Sequence, residues 1–109
     1  MSAELPGSWS TTWSAASETL AIDMDAAAPA PADFVSNGVR VGPVLFDLEF
    51  RRKRSTCLVR LTHRQGPPVT LRLRLPAPGP GLVEVDGVAL RGGEVSFAFA
   101  GQHEVVAYY

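Results

Sequence analysis

Seven residues, Val69-Thr70-Leu71-Arg72-Leu73-Arg74-Leu75, alternate without a fault between apolar and polar side chains, and this period of two restricts the fold more than any other feature of the chain. A helix would scatter the four apolar residues around its axis. An extended strand places Val69, Leu71, Leu73 and Leu75 on one face and Thr70, Arg72 and Arg74 on the other. Val44, Phe46, Leu48 and Phe50 repeat the pattern against Asp47, Glu49 and Arg51, as do Cys57, Val59 and Leu61 against Arg60, Thr62 and Arg64. The second run reads as the antiparallel partner of the first across the charged connection Arg51-Arg52-Lys53-Arg54-Ser55.

Between these runs the chain carries residues that end strands. Gln65-Gly66-Pro67-Pro68 and Ala77-Pro78-Gly79-Pro80-Gly81 lack the donors a sheet requires, and Asp86-Gly87 favours the positive φ angles of a tight hairpin between Leu82-Val83-Glu84-Val85 and Val88-Ala89-Leu90. Val95, Phe97 and Phe99 form a further strand, and Glu104 to Tyr109 ends the chain as another. No stretch sustains a helical period. The spacing predicts an all-β chain with little helix, an antiparallel β-sandwich of about eight short strands. Its final strand is expected to be an exposed edge, which allows a homodimer as well as a monomer.

A length of 109 residues fits one domain. Within it, residues 1–26 read as an acidic hairpin, with Ser8 to Ser14 paired to Thr19 to Met24; residues 27–33 read as an Ala/Pro joint and residues 34–109 as the main sheets. No apolar run approaches the roughly 18 residues of a membrane span. The opening Met1-Ser2-Ala3-Glu4-Leu5-Pro6-Gly7 has an acid where a secretory leader has a base, so the expected location is cytoplasmic, or the chain is a piece of something larger.

The reactive inventory is sparse. Cys57 is the sole cysteine, which excludes an internal disulfide, and the two histidines, His63 and His103, have no ligand spacing around them, so no metal or cofactor is expected. Neither a nucleophile elbow nor a phosphate-cradling glycine loop is present. The paired acids Asp47 and Glu49 share a strand face, where solvation is their ordinary fate. On these grounds no catalytic residue is assigned, and the chain is read as a binding or structural module.

Three groups stand out as candidate binding residues. Trp9 and Trp13 offer flat rings for stacking if exposed, with Asp47 or Glu49 as hydroxyl acceptors, and complete the core if not. Arg60, Arg72 and Arg74 would form a guanidinium array if their strands are neighbours, and pairing with Asp47 and Glu49 would neutralise it. The net charge is only −1, yet Glu4, Glu18, Asp23, Asp25 and Asp33 all precede the first base, Arg40, while Arg51 to Arg74 contains no acid. Nucleic acid is not the expected partner, because the isoelectric point near 6.1 lies well below the roughly 9 of dedicated binders.

The series Val83-Glu84-Val85-Asp86-Gly87-Val88-Ala89-Leu90, Gly92-Gly93-Glu94-Val95 and Gly101-Gln102-His103-Glu104-Val105 resembles the β-sandwich tail that follows the α/α-barrel in some glycoside hydrolases and sugar phosphorylases. Gly38 to Pro43, with Phe46 to Arg52, is similar to the corresponding segment of glycogen-debranching enzymes, so the resemblance spans residues 38–109. The catalytic acids of such enzymes lie in the barrel, and none of them carries over. The resemblance implies an accessory sheet that docks on a partner protein; an oligosaccharide ligand held by Trp9 and Trp13, or an anion or nucleic acid on the arginine face, are the alternatives.

Overall fold

The computed structural model describes residues 9–24, 33–75, 81–91 and 94–108, together with the backbone but not the side chain of Phe34. These residues form ten strands: β1 (Ser10–Ser14), β2 (Thr19–Asp23), β3 (Asp33–Val41), β4 (Val44–Arg52), β5 (Thr56–Gln65), β6 (Val69–Arg74), β7 (Leu82–Val85), β8 (Val88–Leu90), β9 (Glu94–Phe99) and β10 (Gln102–Tyr108). They build two sheets, a four-stranded one ordered β1-β2-β6-β9 and a six-stranded one ordered β3-β4-β5-β10-β7-β8. The all-β sandwich expected from the alternation is the fold. Among the described residues no helix is long and apolar enough to cross a membrane.

Alternation decides which side chains meet. Leu20 and Ile22 of β2, Leu71 and Leu73 of β6 and Val95 and Phe99 of β9 face Phe46, Leu48 and Phe50 of β4, Val59 and Leu61 of β5 and Val105 of β10, all buried in one core. Removing such side chains from water is the main stabilisation available to a sandwich, about 1.5–3 kcal/mol for each large one.

Three details differ from the sequence reading. First, β2 pairs with β6 in parallel, Leu20 opposite Leu71 and Ile22 opposite Leu73, within an otherwise antiparallel arrangement. The N-terminal hairpin thereby supplies two of the four strands of the smaller sheet, with β1 at its edge. Second, the terminal strand is not an edge: β10 lies between β5 and β7 and pairs with both, which removes the proposed route to a dimer through Glu104 to Tyr109.

Third, β3 has no counterpart in the reading from alternation. Ser36 and Val39 both point inward across a register shift, so a bulge at Asn37-Gly38, with Gly38 at φ 72°, breaks the period of two and hides the strand. Asp33, the last residue of the expected Ala/Pro joint, opens this strand; the rest of that joint lies outside the described residues.

Candidate functional site

The outward face of the smaller sheet is a ladder of small polar residues crossed by two ion pairs. Its first row runs Ser10, Asp23, Arg74, Glu94 across the four strands, and the second runs Thr12, Ala21, Arg72, Ser96. Opposite charges stand directly across the strands in the first row, the arrangement that stabilises such pairs. Both Nε and Nη2 of Arg72 donate to Glu94 Oε1, at 3.2 and 2.6 Å. Arg74 Nη1 lies 3.9 Å from Asp23 Oδ2.

Where Ala21 stands between larger neighbours, the face sinks into a shallow depression of about 230 Å³ lined by Ser10, Thr12, Ala21, Asp23, Arg72, Arg74 and Glu94, with Ile22 below. Two guanidinium groups and two carboxylates balance there, and the hydroxyls add groups that both donate and accept. The depression suits a neutral polyhydroxylated surface ligand better than a free anion.

The candidate residues do not assemble as one site. Arg60 is on β5 in the six-stranded sheet, whereas Arg72 and Arg74 are on β6 in the other, so their outward faces lie on opposite sides of the sandwich and the three-arginine array does not form. Arg60 instead donates from Nε to Glu104 Oε2 at 3.0 Å and stands 3.9 Å from Glu49, its cross-strand neighbour. Arg64 pairs with Asp47 at 2.7 Å, and Glu49 also accepts from Arg51.

Asp47 has a structural task. Its Oδ1 accepts the backbone N–H of Gly38 at 2.8 Å, satisfying a donor that the β3 bulge takes out of the ladder. Partial burial pushes the Asp47 carboxyl up, and the Gly38 N–H and Arg64 outweigh it, leaving the group below its ordinary value.

Trp9 is a core residue, and Trp13 is partly buried against the core. Trp9 is only 6% exposed and meets the Phe50 ring edge-on with centroids 5.0 Å apart. Trp13 packs against the same core and covers Gly42, where an added Cβ would fall 2.6 Å from the indole Cγ. The buried Trp9 ring offers no open face for stacking, whereas Trp13 keeps part of its surface exposed. The alternation Trp9, Thr11, Trp13 already carried that orientation, given that the hairpin joins the sheet.

Elsewhere one acid and one histidine come together. His103 Nδ1–H donates to Asp86 Oδ2 at 2.7 Å, and Asp86 Oδ1 accepts the Glu104 N–H at 2.9 Å. His103 Nε2 lies 2.9 Å from the Ala100 carbonyl oxygen and 3.3 Å from the Ala100 amide nitrogen, so it donates to the first when protonated and accepts from the second when neutral. This pair ties the β7–β8 turn to the β9–β10 turn. His103 is packed at 5.0 Å from Phe97, and no nucleophile stands within its hydrogen bonds. Cys57 is buried, which pushes its thiol up to about 12. Among the described residues no group of three or more potential ligands could hold a metal ion.

No family model matches the chain, and no curated protein matches it. Among solved structures it is similar to a GH127 β-L-arabinofuranosidase from Geobacillus stearothermophilus T6, with a TM-score of 0.52 and 14% identity, over 84% of this chain and 15% of that one. At that identity the likeness extends to the fold alone. This chain spans a small part of the hydrolase it matches.

Proposed function

We propose that this chain is a non-catalytic β-sandwich module related to the accessory sheets of carbohydrate-active enzymes, acting by docking on a catalytic partner. The observation that carries this reading is the asymmetric coverage, in which nearly all of this chain corresponds to a small part of a glycoside hydrolase. The side chains favour it too: the acids on the outer face of the larger sheet are engaged in ion pairs and backbone hydrogen bonds, not held as an acid and base across a cleft.

Reconstitution tests it. Mixed with the α/α-barrel glycoside hydrolases of its own source, the chain is expected to form a 1:1 complex with one of them and to raise its thermal midpoint. Failure to associate with any of them overturns the docking reading. Glycoside hydrolysis by the purified chain, lost in Asp47→Asn or Glu49→Gln, overturns the non-catalytic one.

The depression on the smaller sheet supports a second reading, a weak site for a neutral saccharide built from Arg72, Arg74, Asp23 and Glu94 instead of the tryptophans. Amide shifts on Thr12, Ala21 and Arg72 during titration with a neutral oligosaccharide, abolished by Arg72→Ala, are the expected result. Unchanged spectra exclude it.

A further inference from the structure

The two sheets are unequal. Six strands face four, and the larger sheet ends in β8, which among the described residues pairs with β7 alone. Val88 and Leu90 stand opposite Val85 and Val83, and since those two are buried, Val88 and Leu90 point to the same inner side. Val88 is nevertheless 62% exposed and Leu90 39%. Inward-facing apolar side chains on an open strand are what pairing between sheets conceals.

The backbone of β8 sets the register of such pairing. Asp86 and Gly87 both have positive φ, 50° and 84°, so the turn is a two-residue hairpin whose closing residues, Val85 and Val88, exchange hydrogen bonds. Alternation then turns the N–H and C=O of Ala89 away from β7, to the free edge. A residue with both groups facing outward is the natural centre of an antiparallel self-pairing, since two copies related by a two-fold axis can exchange both bonds there.

We propose that β8 pairs antiparallel with β8 of a second copy of this chain, joining the six-stranded sheets across a two-fold axis centred on Ala89. In that register Val88 of each copy stands opposite Leu90 of the other in a non-hydrogen-bonded pair, where side chains approach most closely. Exposed Arg91 stands opposite Gly87 of the second copy, beside its Asp86, so each end of the short interface sets a base near an acid. The strand has three residues, and so small an interface implies a dissociation constant on the order of 1 mM. The β3 edge lacks this fit because its bulge removes a straight row of donors.

This proposal is independent of the docking reading above. Sedimentation equilibrium of the whole chain up to millimolar concentration is expected to show reversible dimers, lost in Ala89→Pro, which removes only an outward donor, and in Val88→Glu, which sets a charge against the apolar Leu90 of the second copy. Thermal melts establish that both variants stay folded. A second measurement avoids high concentration: opposed Ala89 Cα atoms would be about 5.5 Å apart, within the roughly 4.4–6.8 Å of a disulfide. Ala89→Cys is expected to oxidise to a covalent dimer at least about tenfold faster than Ser96→Cys, through the higher local thiol concentration, and buried Cys57 does not compete. A wild-type chain that stays monomeric, dimers that persist in folded Ala89→Pro, or equal oxidation of the two cysteine variants overturns the proposal.

Discussion

Gly66 has φ 104°, and an added Cβ there would come within 2.2 Å of the Pro43 carbonyl oxygen. Pro43 precedes β4 and Gly66 follows β5, so this close backbone approach seals one end of the β4–β5 pair. The obstructing atom is main chain and cannot rotate aside. Gly66→Ala is expected to lose about 1–3 kcal/mol through backbone strain, more than Gly38→Ala, where the φ is also positive but nothing lies within 4 Å. Urea denaturation of the two variants measures the difference, and equal midpoints would show that the loop relaxes. At the same scale, a Cys57 thiol pushed up to about 12 by burial is expected not to react with an aromatic disulfide reagent at pH 8 until the chain unfolds. Reaction at the rate of a free thiol would place Cys57 outside the core.

The β7–β8 hairpin depends on a side chain outside itself. The His103 hydrogen bond, followed by the Glu104 N–H, holds the Asp86 carboxyl below its ordinary range, so the folded chain binds that proton less readily than the unfolded one. The stabilisation is therefore complete above the unfolded value of about 3.9 and fades as pH falls through the lower folded value. Asp47 is displaced in the same direction and adds to the same acid limb. Asp86→Ala is expected to cost about 1 kcal/mol at pH 7 and to flatten the loss of thermal midpoint below about pH 4, with the Asp47 contribution remaining. A parallel acid limb in wild type and variant would refute the role. Sequence alone made the Asp86-Gly87 turn and the outward faces of β4, β5 and β6 legible, because turn chemistry and alternation are local. It did not reveal that His103 reaches Asp86, that β5 and β6 belong to different sheets, or that β2 lies beside β6, because pairing between distant strands leaves no periodic trace. The bulge at Asn37-Gly38 concealed β3 for the complementary reason: it destroyed the trace that was sought.

The parallel contact between β2 and β6 bears on how the molecule divides. A hairpin attached through a flexible joint would be dispensable, and the remaining sheets would fold without it. Here, Trp9, Leu20, Ile22 and Met24 are all buried in the common core, and β1 with β2 makes up half of the smaller sheet. Without them one flank of β6 loses its hydrogen-bond partner, and Phe50 of the opposite sheet loses the Trp9 ring. At about 1.5–3 kcal/mol for each large side chain, the lost burial is of the same order as the whole stability of a small domain, about 5–15 kcal/mol. Residues 33–109 alone are therefore expected to be unfolded, with poorly dispersed amide resonances and no cooperative melt. Adding residues 1–24 as a separate peptide is expected to restore dispersion only at high peptide concentration, since the joined chain supplies that segment at an effective concentration a free peptide reaches at millimolar levels. A truncated chain that melts cooperatively on its own would make the hairpin an appendage and the eight remaining strands the folding unit.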